Sequence, residues 1–123
     1  MIIPFQKDEV LLDDLRTADS VKEGFHLWWL GQSGFLVCYG GECLLFDPYL
    51  SDSLTKKYAA TDKPHVRMTE RVVDPARLDF VSVVTTSHNH TDHLDAETLV
   101  PIFEAAPQSK LVLPAANVSF VNQ

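Results

Sequence analysis

The chain lacks the features that mark membrane, secreted and nucleic-acid-binding proteins. No apolar run approaches the roughly 20 residues that cross a bilayer, and the N-terminus has neither the charged start nor the long apolar core of a signal peptide. Only 10 Lys and Arg residues stand against 17 Asp and Glu residues, and the net charge of −7 argues against a broad surface for phosphate backbones. We therefore expect a cytoplasmic protein that spans no membrane and binds no long nucleic acid.

Cysteine is also scarce, and the two cysteines lie close together. Cys38 and Cys43 flank Gly40 and Gly41, and a two-residue hairpin turn at the glycines would place the cysteines directly opposite each other. That separation allows a disulfide. A reducing cytosol favours free thiols, however, and we expect the thiols. Because both cysteines lie far in sequence from the histidines described next, neither is counted as a metal ligand.

Histidine, by contrast, is concentrated at one point of the chain. Three of the five His residues fall within the segment His88-Asn89-His90-Thr91-Asp92-His93, directly after an apolar run. Neutral imidazole and carboxylate groups bind zinc, iron and manganese, and His88 and His90 project from one face of an extended backbone. The alternative is a polar surface loop that happens to be rich in His. The density of ligand side chains favours a metal site, or half of one.

The apolar pattern predicts a mixed α/β fold. A helical stripe over residues 7–18 predicts an amphipathic helix within an N-terminal helical extension, residues 1–24. Aromatic residues occur on both sides of the first predicted strand, which indicates a strand covered on both faces. A polar, irregular excursion is expected over residues 51–77. The predicted strands are residues 25–30, 34–38, 42–47, 78–86 and 110–113.

Turn and capping residues place the elements that follow the histidines. Asp95 is suited to cap the N-terminus of a helix. Pro101 cannot donate a hydrogen bond inside a helix, so we expect a kink there or a fresh helix that begins at that residue. Pro107 ends this element, and residues 115–123 are expected to begin another helix.

The excursion over residues 51–77 carries much of the chain's positive charge. A substrate-facing loop would need such residues to bind a phosphate or carboxylate, and Arg does so with two hydrogen bonds. Arg67 is the substrate-binding candidate, and the alternative is an ordinary solvated loop.

The pattern His-x-His-x-Asp-His over residues 88–93 resembles the metal-binding motif of the metallo-β-lactamase superfamily. Leu-Gly-Gln-Ser-Gly-Phe-Leu-Val at residues 30–37 and Leu-Leu-Phe-Asp-Pro-Tyr-Leu-Ser-Asp at residues 44–52 resemble the opening hairpin of one branch. That branch contains L-ascorbate-6-phosphate lactonase-like metal-dependent hydrolases and, more distantly, phospholipase-D-type phosphodiesterases acting on N-acylethanolamine lipids. The resemblance covers nearly the whole chain from Phe25 onward.

The resemblance implies a four-layer αββα sandwich of two similar halves, an α/β fold that some schemes class as α+β. It implies that His88 and His90 hold one ion, that Asp92 and His93 hold a second, and that later His and Asp residues complete both sites. No His follows His93 and no Asp follows Asp95. We therefore expect residues 1–123 to be the N-terminal half of the domain, or a partner chain to complete the site. The chain alone is expected to be inactive.

Specific roles follow from this resemblance. Zn²⁺ or Mn²⁺ is the expected ion, in one or two copies, and iron also suits the ligands. Asp92 is both a ligand and the catalytic residue that would orient the attacking water and take up its proton. Asp47 matches the family pattern at the end of a hairpin strand, where it would orient a metal ligand. The alternative is that Asp47 only opens a turn before Pro48.

Three functions are compatible with these residues. The leading hypothesis is a metal-dependent hydrolase that acts on a lactone or a phosphorylated small molecule, in the manner of the L-ascorbate-6-phosphate lactonases. The second is a phosphodiesterase of the same fold that acts on a phospholipid or a nucleotide. The third is a non-enzymatic half-domain whose open sheet edge pairs with another copy or with the missing half.

Overall fold

A five-stranded mixed sheet organises the chain, and the computed structural model describes all residues from 1 to 123. The strands lie side by side in chain order. The first three are antiparallel, and the fourth and fifth continue the sheet in parallel. This arrangement confirms the predicted α/β class. The strands are β1 Phe25–Trp29, β2 Phe35–Tyr39, β3 Glu42–Phe46, β4 Val83–Thr85 and β5 Lys110–Val112.

Four α-helices accompany the sheet. The predicted N-terminal helix is confirmed, and it buries a leucine stripe against the sheet. The second helix lies within the excursion that the sequence predicted to be irregular. No helix combines the length and the apolar character that crossing a lipid bilayer requires. The helices are α1 Glu9–Asp19, α2 Ser53–Tyr58, α3 Ala96–Ala105 and α4 Val118–Val121, with 3₁₀ turns at Pro75–Arg77 and Ala115–Asn117.

The two faces of the sheet differ in burial. Leu36, Leu45 and Val84 lie in one row across the central strands and are fully buried. The opposite face leaves its aromatic side chains exposed, and Trp29 at the edge is 59% exposed. The prediction that β1 is covered on both faces is therefore wrong. Aromatic residues on both sides of a strand indicate that both faces are apolar, but they do not supply a second layer.

The central strand is shorter than the sequence predicted. Residues 78–86 contain only the three strand residues of β4, which pair with β3 and β5. Leu78 and Val81 are fully buried, as expected, but through turns instead of a strand. The backbone N–H of Leu78 bonds to Pro75, and that of Val81 bonds to Leu78. Burial explains the apolar run, while pairing with a distant strand sets the strand's length.

Helix α3 decides two sequence predictions. Pro101 lies inside the helix, which continues to Ala105, so the alternative of a fresh helix at Pro101 is wrong and the kink stays a prediction. Asp95 occupies the N-cap position but its side chain does not bond to the free backbone N–H groups of the first turn. Its carboxylate instead accepts two hydroxyl hydrogen bonds.

The hairpin turn between β2 and β3 forms as predicted. Gly40 and Gly41 have φ values of +58° and +85°, which suit a tight two-residue turn. Cys38 and Cys43 are paired across the ladder with their Cα atoms 4.2 Å apart, and they form a disulfide. The expectation of free thiols is therefore wrong. The strand register brings the two sulfur atoms within bonding distance. The expectation of free thiols depended only on an assumed reducing cytosol, which the register does not depend on.

Candidate metal centre

The predicted histidine cluster forms in the loop between β4 and α3. The ring centroids of His88 and His90 are 4.5 Å apart, and those of His88 and His93 are 4.2 Å apart. The backbone turns back on itself here, because the N–H groups of His93 and Leu94 both bond to the carbonyl oxygen of His90. A strand that ends in a tight turn thus brings three imidazoles together, as the sequence predicted.

Two carboxylates flank His93. Asp92 Oδ2 lies 3.6 Å from His93 Nε2, and Asp47 Oδ2 lies 3.4 Å from His93 Nδ1. Asp47 also accepts a hydrogen bond of 2.6 Å from the backbone N–H of Ser87, through its Oδ1. The orienting role of Asp47 stays a prediction, but its contact with a predicted ligand and with the ligand loop favours that role over a simple turn.

The donor chemistry of the site fits a divalent cation. Three imidazoles and two carboxylates converge, and His93 Nδ1 is buried without a hydrogen-bond partner. The arrangement is not that of a finished site. No group of three or more His, Cys, Asp or Glu side chains is arranged to hold an ion. The assignment of His88, His90, Asp92 and His93 as metal ligands stays a prediction.

The loop between β1 and β2 reaches the site, which sequence reasoning missed. Ser33 Oγ donates a hydrogen bond of 3.0 Å to the backbone oxygen of Asp92. A Cβ atom at Gly34 would lie 2.6 Å from the backbone oxygen of Asp47. The segment Gly31-Gln32-Ser33-Gly34 was visible in the sequence, but only as a break between two strands. Its two glycines were the signal for a close backbone approach.

Arg67 lies inside the protein. Arg67 is only 4% exposed, so the solvated-loop alternative is wrong for this residue. It donates to the backbone oxygens of Thr69 at 3.1 Å, Tyr49 at 3.2 Å and Ser51 at 2.7 Å, and its guanidinium lies over the Tyr49 ring. Burial lowers the pKa of Arg67, while Tyr49 and nearby carboxylates act in the opposite direction. The substrate-binding role stays a prediction, and these contacts favour a structural one.

A second cation lies at the exposed side of the histidine loop. Lys57 Nζ is 3.4 Å from Thr91 Oγ1, and Thr91 stands between His90 and Asp92. The neighbouring Lys56 is paired with Glu97 at 2.7 Å. Lys57 is thus a cation beside the predicted ligands, and sequence reasoning noted it only as part of the loop's positive charge.

A hydroxyl–carboxylate network lies beneath the loop and was also missed. Ser51 Oγ and Thr98 Oγ1 each donate a hydrogen bond of 2.6 Å to Asp95 Oδ2. Thr98 Oγ1 accepts from the backbone N–H of Leu50 at 2.8 Å, and Ser51 Oγ accepts from that of Ser53 at 3.1 Å. No local sequence pattern signals this network, because it joins segments more than 40 residues apart.

Comparison with known proteins gives three matches. A family model described as a β-lactamase superfamily domain matches residues 26–122. N-acyl-phosphatidylethanolamine-hydrolyzing phospholipase D, mitochondrial, of Saccharomyces cerevisiae is 35% identical over 95 residues, which are 72% of this chain and 19% of that protein. N-acyl-phosphatidylethanolamine-hydrolyzing phospholipase D 1 of Caenorhabditis elegans is 33% identical over 100 residues, 80% of this chain and 27% of that protein. The chain therefore spans about a fifth to a quarter of the length of these curated relatives.

Proposed function

This chain belongs to the β-lactamase superfamily, and on that premise we propose that it forms part of a metal-dependent hydrolase. The observation that carries the proposal is the convergence of three histidines and two aspartates beyond the ends of the neighbouring strands β3 and β4. The remaining ligands would come from a further part of the protein or from a partner chain. We expect residues 1–123 alone to give no turnover.

A phosphodiester is the substrate class we favour over a lactone. The two relatives are named for hydrolysis of N-acyl-phosphatidylethanolamine, a lipid with a phosphodiester linkage. Lys57 supplies a cation beside the predicted ligands, where it can pair with a phosphate oxygen. The lactonase hypothesis is supported only by the resemblance of the opening hairpin, and a phosphorylated lactone is therefore the comparison substrate.

The proposed mechanism assigns a task to each side chain. One or two ions held by His88, His90, Asp92 and His93 would supply Lewis acidity, which lowers the pKa of a water and stabilises negative charge on oxygen. Zinc and manganese suit these ligands, and iron also fits. Asp92 would accept a proton from the attacking water. Asp47 would hold the His93 ring through the contact at Nδ1.

The location of the protein stays open to test. A cytoplasmic protein is what the sequence predicts, but the disulfide between Cys38 and Cys43 weighs against it, because cytosolic thiols are normally kept reduced. Thiol labelling of the protein in its own cells separates the two cases. Labelling of both cysteines without prior reduction supports the cytoplasm, and no labelling contradicts it.

An assembly role is the second candidate function, and one observation favours it. One sheet face carries exposed apolar side chains in register, among them Trp29, Phe35 and Phe46. Such a face needs a covering layer. In this case the chain would fold against another layer without catalysing a reaction, and adding that layer would produce no turnover.

A side-by-side assay tests the hydrolase proposal. The natural protein that contains this chain is incubated with Zn²⁺ or Mn²⁺ and with N-acyl-phosphatidylethanolamine or L-ascorbate-6-phosphate lactone. We expect turnover of the phosphodiester, and its loss in Asp92→Ala but not in Lys110→Ala, a surface control on β5. Turnover of the lactone alone would favour the lactonase hypothesis. Wild-type rates in Asp92→Ala would contradict both.

A further inference from the structure

Asp47 has a positive φ, which is uncommon for residues other than glycine. Its φ is +45°, in the left-handed region, where Asp occurs more often than most side chains but is still a minority. Such conformations persist where the surrounding structure determines them, and they cluster at functional sites. The conformation aims the Asp47 carboxylate at both Ser87 N–H and His93. Something must therefore hold the chain around Asp47.

The segment that follows Asp47 is buried and bound on two sides. Pro48, Tyr49 and Leu50 are fully buried. On one side the guanidinium of Arg67 donates to the backbone oxygens of Tyr49 and Ser51. On the other side Asp95 accepts from the Ser51 hydroxyl. Ser51 is thus bound by two buried charged side chains: its carbonyl oxygen accepts from Arg67, and its hydroxyl donates to Asp95.

Asp95 joins this segment to the ligand loop. It stands two residues after His93, is only 3% exposed, and has no Lys, Arg or His within ion-pair distance. Burying an unpaired carboxylate is costly, and its two hydroxyl donors, Ser51 and Thr98, offset that cost. A cap of α3 alone would not need Ser51, which lies 44 residues earlier.

We propose that Asp95 is a positioning residue that acts through Ser51 to hold Asp47 in its left-handed conformation facing His93. The effect on a metal ion rests on the proposed function. The positioning itself does not, because the hydrogen bond between the Ser87 N–H and the Asp47 carboxylate is made by this chain's own groups.

Three single variants test this inference in the intact chain. Asp95→Asn weakens the group that accepts the hydrogen bond from Ser51, and Ser51→Ala removes the hydroxyl that donates it. Asp14→Asn is the matched control. Asp14 also accepts a side-chain hydrogen bond, from Trp28 Nε1 at 2.8 Å, but on the α1 side of the protein. If Asp95→Asn does not fold, Ser51→Ala carries the test alone, since it deletes a single oxygen.

The first measurement follows the amide proton of Ser87 by NMR without added metal. A short bond to a carboxylate shifts this proton downfield and slows its exchange with solvent. Asp95→Asn and Ser51→Ala are expected to shift it upfield and to speed its exchange, in the direction that Asp47→Asn also produces. Asp14→Asn is expected to leave it unchanged. An unchanged Ser87 amide in both test variants overturns the inference.

The second measurement is Zn²⁺ affinity, obtained by competition with a chromophoric chelator. Loss of a group that orients a ligand weakens metal binding about 10–100-fold, and we expect about tenfold for Asp95→Asn. In the Asp47→Asn background the same change should have no further effect, because both variants act through one carboxylate. Additive losses would show that Asp95 acts independently of Asp47 and would overturn the inference. This affinity is measured in the natural protein that contains the chain, because further ligands are expected outside residues 1–123. Failure of that protein to bind Zn²⁺ would count against the metal site, and the Ser87 amide would still decide the positioning.

Discussion

The two ends of strand β3 differ in how closely the neighbouring chain packs against them. At its start, Gly40 and Gly41 lie in open space, and a disulfide closes the turn. At its end, Gly34 lies against the backbone of Asp47 so closely that a Cβ atom would clash with two carbonyl oxygens. The first end is closed by a disulfide between residues five positions apart, whereas at the second end the Asp47 carboxylate bonds to Ser87, 40 positions away. The local end can be predicted from the sequence, while the long-range end carries the candidate site.

The largest expected loss of stability comes from adding a methyl group at Gly34, and the same change at Gly40 provides the comparison between the two ends of β3. Gly34→Ala places a methyl group 2.6 Å from the Asp47 backbone oxygen at a φ of +87°, and we expect a loss of about 3 kcal/mol in the free energy of unfolding. Gly40→Ala meets no neighbouring atom and carries only the strain of its φ, about 1 kcal/mol. Urea denaturation of both variants measures the difference. Equal losses would remove the distinction between the two ends.

Removal of Arg67 is expected to have the next largest effect. Arg67→Ala deletes three hydrogen bonds to buried carbonyl oxygens and leaves a void beside Tyr49, so we expect a loss of about 2–3 kcal/mol. Arg71→Ala is the control, because Arg71 is exposed and reaches Asp74 only at 4.0 Å. A thermal shift for Arg67→Ala no larger than that of the control would contradict the structural role. Weaker substrate binding at unchanged stability would restore the substrate role.

Substitution of Asp47 tests whether the C-terminal end of β3 contributes to metal binding. Asp47→Asn keeps the size of the side chain and removes its charge, and we expect metal affinity to fall about 10–100-fold. Asp52→Asn is a nearby control, since the Asp52 side chain makes no hydrogen bond or ion pair. Unchanged affinity in Asp47→Asn would return Asp47 to the role of a turn residue.

The smallest expected loss of stability concerns the disulfide at the turn that precedes β3. Cys43→Ser removes the disulfide, whose closed loop is short, and the chain-entropy argument gives a loss of about 2 kcal/mol at most. The Ser87 amide and the affinity for Zn²⁺ are expected to stay unchanged, because the turn is at the other end of β3. A change in metal affinity would show that the two ends are coupled.

The sequence predicted what depends on neighbouring residues and on the motif. The hairpin register, which pairs Cys38 with Cys43, follows from a two-residue turn, and the gathering of His88, His90 and His93 follows from their spacing at a strand end. The superfamily is also confirmed by the match over residues 26–122. The narrower resemblance to lactonases finds no support, and the relatives found are phospholipase-D-type enzymes by name.

The remainder could not be predicted because it depends on distant partners. The burial of Arg67 requires the carbonyl oxygens of Tyr49 and Ser51, and the role of Asp95 requires the hydroxyl of Ser51. Nothing near Arg67 or Asp95 in sequence indicates these contacts. Likewise, the exposed face of β1 depends on which layer covers the sheet, and a pattern within the strand cannot supply that information.

The most direct test of the metal site is the Zn²⁺ stoichiometry and affinity of the natural protein that contains this chain, beside those of its His90→Ala and Lys110→Ala variants. His90 lies in the centre of the histidine loop, and Lys110 lies on the exposed edge strand β5. The metal-site proposal predicts that Zn²⁺ binds to the wild-type protein and to its Lys110→Ala variant, and that binding is lost in His90→Ala. Equal binding by all three proteins, or binding by none, would contradict it.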